Sequence, residues 1–387
     1  MGANCSAATG VLIAGAGPVG LVLAAELALH GVDVLVVERA AASSDEPRAS
    51  QVDSRTMEFL DRRDLLDRLG PLPRVGTGHF GGLPLSLDGV RSRFRGHWRV
   101  PQPRLTAALE ARAVELGVPM LRAHSLLRFT ATDRVRAQVR APAGPMTITA
   151  DYLVGCDGHD SVVRTHGGFA FPGSPATRTL LWADLDGIEL EPRRFQRLPA
   201  GLAVAASRAD GGTRVMVHAY GYHRPAGRVE PAELAREWHR VTGEDLAGAT
   251  VRRIGLFDNE SRLVDRFRRG RVLLAGDAAH RHLHVGGMSL NQGLHDAIDL
   301  GWKLATTIAD RAPSELLESY QDQRHAAGRA AAAVVDAQEV LLLGHPKVEP
   351  LRALLGQLLT APEIAVRLAE AVSGWPAAAG ALSTPAV

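Results

Sequence analysis

The chain has 387 residues, 46% of them hydrophobic, and a formal net charge of only +2. This length is ample for a large core and predicts two or three domains. The basic residues are scattered, which argues against a nucleic-acid partner, and no apolar run is long enough to span a bilayer. Two cysteines argue against a disulfide framework, and the first ten residues lack a signal-peptide pattern. We therefore expect a cytoplasmic protein without a membrane partner.

A strand–turn–helix–strand pattern occupies residues 11–39. The short apolar run at 11–14 predicts a buried strand, and residues 15–20 spell a complete G-x-G-x-x-G. A Leu- and Ala-rich helix is predicted after it, followed by a second buried strand at 32–37. Glu38 stands at the end of that second strand. Strand, glycine turn, helix, strand and acid are in the register of a dinucleotide-binding unit.

Each glycine of this motif has a physical role in binding a dinucleotide. Gly15 allows a sharp turn, Gly17 lets a pyrophosphate approach the backbone, and Gly20 lets helix and strand pack closely. An acid at position 38 can accept hydrogen bonds from a ribose and disfavours a 2′-phosphate, so FAD or NAD is expected rather than NADP. The alternative is a βαβ unit without a ligand. The predicted cofactor contacts are Gly15, Gly17, Pro18, Val19, Gly20, Glu38 and Arg39.

Further along the chain, a helix is predicted from Ser54 to Leu60, short β segments over 70–100, and an amphipathic helix over 105–116. Residues 118–150 alternate between apolar and polar positions, as a meander of strands would. At 151–164 a buried strand ends in Cys-Asp-Gly. Its aspartate, Asp157, lies where ligands of open α/β sheets bind.

The sequence pattern changes at residues 170–262, where segments of alternating apolar and polar residues predict an antiparallel sheet with a helix over 231–242. We expect this insertion to form a second domain that contributes to the substrate pocket. Trp182, in its first alternating strand, either faces that pocket or belongs to the core.

A third motif occupies residues 271–305, where a buried strand ends in Gly276-Asp277 and a long helix is predicted from about Ser289. Its loop carries His280, His282 and His284 in alternation. We discount a metal, because no fourth ligand has a recognisable spacing. Residues 314–372 predict amphipathic helices.

These observations predict an α/β fold with a discontinuous nucleotide-binding domain and an inserted sheet. We expect residues 1–169 and 263–312 to form the first domain, with part of 70–100 near the substrate pocket. Residues 170–262 are expected to form the substrate domain, and residues 313–387 a C-terminal helical region.

Taken together, the three motifs resemble the class A FAD-dependent aromatic hydroxylases, which have the p-hydroxybenzoate hydroxylase fold, and most closely those that act on actinomycete aromatic polyketides. The likeness is carried by GAGPVG with Glu38, CDGHDSVVR, GRVLLAGDAAH, VPQPR and EPRASQVDSRTMEFL. It implies a Rossmann-like FAD domain of the GR2 type with an inserted antiparallel substrate sheet. It further implies flavin or cofactor contacts from Arg48, Gln102, Asp157, Asp277, Gly286, Gly287, Leu290 and Asn291.

The implied reaction uses non-covalent FAD, NADPH or NADH as a transient reductant, and O2. A flavin C4a-hydroperoxide would hydroxylate a small aromatic polyketide-like substrate. Baeyer–Villiger oxidation, epoxidation and a flavin-binding protein that has lost catalysis are the alternatives. NADH versus NADPH, the substrate and the oligomeric state stay open.

Two features depart from the family pattern. His284 replaces a proline that lies beside the flavin, and Met288-Ser289 replaces a Gln-Gly pair. His284 is the candidate catalytic residue, either turned outward or within reach of the reacting oxygen. We also expect the chain to lack the thioredoxin-like C-terminal domain of many polyketide hydroxylases.

Overall fold

The computed structural model describes residues 5–45, 49–208, 211–222, 224, 227–309 and 315–375. Its strands are β1 (Cys5–Ala14), β2 (Val34–Glu38), β3 (Gln51–Val52), β4 (Arg74–Val75), β5 (Thr77–Phe80), β6 (Leu83–Ser86), β7 (His97–Arg99), β8 (Met120–Arg122), β9 (Ser125–Ala131), β10 (Val135–Ala141), β11 (Gly144–Gly155), β12 (Gly173–Ser174), β13 (Thr179–Asp186), β14 (Arg193–Leu198), β15 (Gly201–Ser207), β16 (Thr213–Ala219), β17 (Thr250–Asp258), β18 (Ser261–Leu263), β19 (Arg268–Arg269), β20 (Val272–Leu274) and β21 (His280–Arg281). Its α-helices are α1 (Pro18–Leu29), α2 (Ser54–Arg62), α3 (Leu66–Leu69), α4 (Gln102–Glu115), α5 (Val162–His166), α6 (Pro231–Thr242), α7 (Met288–Ile308), α8 (Glu315–Leu343), α9 (Glu349–Leu358) and α10 (Pro362–Val372).

The main sheet has the strand order β19-β20-β11-β1-β2-β8, and β9 and β10 extend it from β11. Strand β1 is parallel to both β2 and β11, and β20 is parallel to β11. Where β1 and β2 lie side by side they are continuous apolar runs, VLIA and VLVV, as expected for a parallel sheet that is covered on both faces. Val11, Leu12 and Ile13 are completely buried at the centre. The predicted α/β fold is therefore observed.

Helix α1 is buried along most of its length, since it lies between this sheet and α7. A Cβ on Gly301 of α7 would lie 2.5 Å from the Cβ of Glu26, so the two helices approach closely at this glycine. Glu26 is 2% exposed, and Arg63 of the α2–α3 connection neutralises it with two hydrogen bonds of 2.7 and 2.8 Å. Close packing and a buried ion pair thus fix the helix that follows the glycine turn.

A separate antiparallel sheet has the order β14-β15-β16-β13-β17. Because side chains alternate along a strand, its two faces carry different residues. Leu181 and Ala183 pack on one face with Leu234 and Trp238 of α6. The other face packs against the loop before α7 and against α8, in a cluster that includes Leu180, Leu202, Met216, Phe257, Leu283, Val285, Met288 and Val335. The second face is therefore the one turned toward the main-sheet unit.

The C-terminal helices lie against the β5–β6 hairpin. Leu341 of α8 and Val372 of α10 belong to one buried cluster with Phe80 and Leu85. In the described part of the chain, no helix has both the length and the apolar character that a membrane crossing requires.

Candidate functional site

The carboxyl ends of β1 and β11 meet at one edge of the main sheet, where the glycine motif turns into α1. Gly15 has a φ of 109°, and a Cβ on it would lie 2.2 Å from the carbonyl oxygen of Cys156. A Cβ on Gly20 would lie 2.0 Å from the carbonyl oxygen of Gly15. These two positions therefore require glycine for the turn and for the close contact between helix and strand.

Gly17 is different, because no protein atom lies within 4 Å of the position that its Cβ would take. Its φ is −76°, so the backbone does not demand glycine either. The open space lies at the N-terminus of α1, where unpaired N–H groups favour an anion. This is a cradle that a side chain would fill, and a pyrophosphate fits it.

A cavity of about 500 Å³ extends from this cradle along the sheet edge. Seven of the sequence-predicted residues line it: Gly15, Gly17, Pro18, Glu38, Arg39, Gln102 and Asp157. The remaining wall includes Ser43, Arg122, His124 and Arg140. A mixed wall of backbone, carboxylate and guanidinium groups is suited to a dinucleotide.

The carboxylate of Glu38 is held at the end of β2 by two backbone groups. Its Oε2 accepts a hydrogen bond of 2.8 Å from the Ala16 N–H, and its Oε1 accepts one of 2.7 Å from the Ala40 N–H. Each carboxylate oxygen can accept a further hydrogen bond. Glu38 thus anchors the glycine loop and still presents acceptors to the cavity.

Asp157 caps the short helix that follows β11. It accepts hydrogen bonds from the Ser161 hydroxyl at 2.5 Å and from the N–H groups of Val162 and Val163 at 2.7 and 3.1 Å. Burial raises the pKa of Asp157, and these donors oppose that effect. The side chain that the sequence assigned to the cofactor is therefore also a structural cap.

Asp277 lies in a 3₁₀ turn directly after β20, beside the first turn of α1. A Cβ on the preceding Gly276 would lie 3.1 Å from a methyl group of Val19. Asp277 is exposed, and its carboxylate has no partner among the described residues. An unpaired acceptor at this edge fits a polyhydroxyl chain, although Asp277 does not line the 500 Å³ cavity itself.

A buried cluster of charged side chains, which the sequence analysis missed, stabilises the turn at Asp277 through hydrogen bonds. Asp296 of α7 accepts hydrogen bonds from the Gly276 N–H at 2.9 Å and from Arg324 at 2.6 Å, and it lies 2.8 Å from His280. Burial acts to raise the pKa of Asp296, but Arg324 and His280 outweigh it and lower the pKa. The available signal was an aspartate at an otherwise apolar position of α7.

Gln102 begins α4 and faces the segment before β3. Its side-chain Oε1 accepts a hydrogen bond of 3.2 Å from the Ala49 N–H, and its backbone N–H donates to the Ala49 carbonyl at 2.9 Å. The predicted cofactor residue Arg48 lies outside the described residues. Gln102 therefore ties α4 to the segment that carries that arginine.

The loop before α7 contains the glycine pair, with φ of 64° at Gly286 and 76° at Gly287. Gln51 of β3 crosses this loop and donates a hydrogen bond of 2.7 Å to the Gly286 carbonyl. Leu290 and Asn291 lie in the first turn of α7, where the Leu290 N–H precedes the helical hydrogen bonds and the Asn291 N–H donates to the Gly287 carbonyl at 3.5 Å. The sequence analysis did not single out Gln51, because its contact depends on tertiary structure.

The side chain of Asn291 is occupied within the protein. Its Oδ1 accepts hydrogen bonds from the Asp53 N–H at 3.0 Å and from the Thr56 hydroxyl at 2.8 Å, and its Nδ2 donates to the Gly287 carbonyl at 2.9 Å. A cofactor at this helix start would therefore meet the backbone of the preceding residues rather than the Asn291 side-chain amide.

The three alternating histidines occupy different environments. His280 is paired with Asp296, and His282 lies within 3.1 Å of Gln292. Burial and the neighbouring His280 lower the pKa of His282 to about 4. No group of three or more metal-ligating side chains occurs among the residues that the structure describes.

His284 points toward the antiparallel sheet and is exposed. Its ring lies 5.2 Å from that of Phe257, which stacks on Trp182 at 5.7 Å with an interplanar angle of 16°. The Arg214 guanidinium lies 5.0 Å from the Trp182 ring. Trp182 is 8% exposed and belongs to a continuous aromatic row that begins at the loop before α7. The sequence analysis missed Phe257, because its place in this row depends on its two ring neighbours, Trp182 and His284.

The Rossmann-like edge, the open cradle at Gly17 and the exposed Asp277 are together the features of a dinucleotide-binding protein. The model of the FAD binding domain family matches residues 8–335. The chain belongs to this family.

Its relatives include both oxygenases and a synthase. A 12-dehydrotetracycline 5-monooxygenase/anhydrotetracycline 6-monooxygenase of Streptomyces rimosus is 37% identical, over 94% of this chain and 76% of its own length. A dialkyldecalin synthase of Streptomyces rugosporus is 35% identical, over 94% of this chain and 80% of its own. The crystal structure of CabE, an aromatic hydroxylase from angucycline biosynthesis, superposes with a TM-score of 0.90 at 39% identity, over 95% of this chain and 76% of CabE. These relatives bear out the resemblance and the fold class inferred from the motifs.

Proposed function

We propose that the chain is an FAD-dependent monooxygenase that uses NAD(P)H and O2 to hydroxylate an aromatic polyketide-type substrate. One observation carries the proposal: the loop joining the FAD edge to α7 touches an aromatic row on the antiparallel sheet. The cofactor edge and an apolar, aromatic surface therefore meet at His284. The named activities of the relatives agree with this arrangement.

In this proposal the protein binds FAD through its sheet edge. Gly17 admits the pyrophosphate, Glu38 accepts the ribose hydroxyls, and Asp277 accepts those of the ribityl chain. The glycine pair and the first turn of α7 present N–H groups to the pyrimidine ring. When bound, FAD supplies the electron transfer and O2 activation that side chains cannot provide.

The substrate would lie over the second face of the antiparallel sheet. Trp182 and Phe257 offer a flat, polarisable platform for an aromatic ring, and Met216 and Val204 lie on the same face. An apolar platform excludes water from the reacting ring. We extend this proposal to the domain division, with 170–262 as the substrate unit, 1–169 and 263–312 as the FAD unit and 313–387 as a helical cover.

His284 is the side chain best situated for proton transfer. Its imidazole stands between the FAD-side loop and Phe257, so it can accept a proton from a phenol or donate one to the oxygen that leaves as water. Histidine also restores a backbone N–H that proline lacks.

The reaction is tested with purified holoenzyme. We expect bound FAD, oxidation of NADH or NADPH that anhydrotetracycline, used as a probe aromatic polyketide, accelerates, and a product heavier by one oxygen atom in mass spectrometry. Gly17→Val apoprotein is the control. Conversion of the probe without NAD(P)H and O2 would instead indicate a synthase-like activity and would contradict the proposal.

A further inference from the structure

On the face of the antiparallel sheet that carries Trp182, the next row of residues across the strands is charged; we call this row the charged rung. Asp184, two residues further along β13, is 1% exposed. Arg214 of β16 donates two hydrogen bonds to its carboxylate, of 2.7 and 2.9 Å, and Arg208 is also ion-paired with it. Two guanidinium groups thus share one buried carboxylate, next to the aromatic row.

A β-bulge in the edge strand β17 adds two more arginines to this rung. Arg253 is opposite Asp184 and Val251 is opposite Leu185, so Arg252 is the extra residue. A bulge sets two residues of one strand against a single residue of its partner and redirects their side chains. Arg252 is paired with Asp186, which shares the face of Asp184 because side chains alternate.

Arg253 is the unusual member of this group. It is exposed, and its side chain has no hydrogen-bond or ion-pair partner among the described residues. The alanine on this rung of β15, Ala206, is small and exposed, so space lies open beside the guanidinium groups. Among the described residues, Asp184 pairs with Arg208 and Arg214 and Asp186 pairs with Arg252, whereas Arg253 pairs with neither carboxylate.

We propose that this arginine rim, formed by Arg208, Arg214, Arg252 and Arg253, is a subsite for an anionic group of the substrate, a carboxylate or an acidic enol. The inference rests on the proposed function, because it places the substrate on this face. Arg253 is the group that binds the anion, since a free guanidinium matches a carboxylate with two parallel hydrogen bonds. Arg208 and Arg214 are positioning residues that act through Asp184.

The geometry also orients the substrate. Arg253 and Phe257 are four residues apart on β17, which corresponds to about 13 Å in an extended strand. Phe257 contacts His284 at the FAD-side loop, so the anionic group lies at the end of the molecule far from the reacting ring. A polycyclic aromatic acid fits this separation better than a single-ring phenol.

The test compares two anthraquinone probes that differ at one position. Rhein carries a carboxylate where aloe-emodin carries a neutral hydroxymethyl group. Binding of each to the FAD holoenzyme is measured by isothermal titration calorimetry. We expect the wild type to bind rhein about tenfold to a hundredfold more tightly, as a hydrogen-bonded charge pair would provide. Arg253→Gln should reduce this preference to less than about threefold.

Two further variants separate a local contact from a general effect of charge. Arg253→Glu should reverse the preference in favour of aloe-emodin. Arg236→Gln removes an exposed arginine from α6, on the opposite side of the sheet, and should keep the preference of the wild type.

Equal binding of the two probes by the wild type, no binding of either, or an undiminished preference in Arg253→Gln would overturn the subsite. The proposed function is judged separately, by probe-stimulated NAD(P)H oxidation. Stimulation without a charge preference would leave the function standing and remove the subsite. A preference for rhein that depends on Arg253, without stimulation of NAD(P)H oxidation, would support the subsite and contradict the proposed function.

Discussion

At the scale of single residues, the glycines of the first motif differ in what constrains them. Gly15 and Gly20 face protein atoms, whereas Gly17 faces open space. A substitution at Gly17 therefore reports on the ligand rather than on the fold. This separation makes Gly17 the sharpest test of the FAD site.

Gly17→Val should yield a folded protein without flavin. The added methyl groups enter the space of the pyrophosphate, while no protein atom within 4 Å opposes the first carbon. The flavin absorbance of the purified protein and its far-UV circular dichroism measure the two effects. A variant that retains a full flavin spectrum would show that the loop does not bind the pyrophosphate. As a control for lost folding, Gly20→Val should disrupt the structure itself, because its Cβ meets a backbone oxygen.

Asp277→Ala should weaken FAD binding about tenfold to a hundredfold, because a hydrogen bond to a charged group contributes about 1.5–3 kcal/mol. Fluorescence titration of the apoprotein with FAD measures the change. Asp277→Asn keeps the size of the side chain and removes its charge, so its affinity for FAD should lie between those of the wild type and Asp277→Ala. The assignment fails if Asp277→Ala binds FAD as the wild type does.

His284→Phe should keep FAD and the ring contact with Phe257 while removing the ionisable nitrogen. We expect hydroxylation to slow by roughly 10²-fold, the lower end for a lost general acid or base. The pH profile should also lose one limb. The rate of product formation under saturating NAD(P)H and O2, followed across pH, measures both. An unchanged rate and pH profile would show that His284 is not a general acid or base in the reaction.

At the scale of elements, the structure bears out most of the sequence-predicted segments, because their apolar periodicity is strong. The helix predicted at 231–242 is α6, and the alternating segment at 213–219 is β16. Boundaries moved where a tertiary contact extends an element. Strand β1 begins at Cys5 rather than at Val11, since it continues to pair with β11.

Contacts between distant elements could not be predicted from one sequence. The Gln51 side chain donates a hydrogen bond to the Gly286 carbonyl, and the Asn291 side chain accepts one from the Asp53 N–H just before α2. In both pairs the partners are far apart in the sequence. Local patterns predict Gly17, Glu38 and Asp277 as cofactor contacts because strand ends and glycine turns carry local signatures. They could not identify Phe257, whose importance depends on its two ring neighbours.

Gly255→Ala tests the aromatic row. A Cβ at this position of β17 would lie 2.8 Å from the indole nitrogen of Trp182, so the indole must move. We expect weaker binding of the anhydrotetracycline probe and unchanged FAD affinity. Gly356→Ala is the matched control, since nothing lies within 4 Å of its Cβ in α9. Probe affinity that survives Gly255→Ala would remove Trp182 from the substrate site.

At the scale of the whole molecule, buried histidines make stability depend on pH. The pKa of His282 is lowered to about 4 by burial and by His280, and burial with the nearby charge of Arg194 lowers the pKa of His79 to about 4. Between pH 6.5 and 4 the unfolded chain binds protons that the folded one does not. Stability therefore falls as the pH drops through this window.

For His282 alone the loss should reach about 3 kcal/mol near pH 4. Urea denaturation at fixed FAD excess, repeated from pH 7 to pH 4, measures it. His282→Gln should flatten the pH dependence, whatever its effect at pH 7. His239→Gln, at an exposed site, should leave the dependence unchanged. Equal slopes for the wild type and His282→Gln would contradict the assignment.

The parallel pairing of β20 with β11 also has a consequence for the order of synthesis. The complete antiparallel sheet lies between these two strands in the chain. On the ribosome, that sheet emerges first, and its antiparallel neighbours can pair before β20 exists. Until then residues 153–155 at the end of β11 lack the partner that β20 provides, although β10 already pairs with residues 144–150. If Asp277 binds FAD as we propose, the complete FAD site exists only after Asp277 has left the exit tunnel, and FAD then stabilises the last step of folding rather than the first.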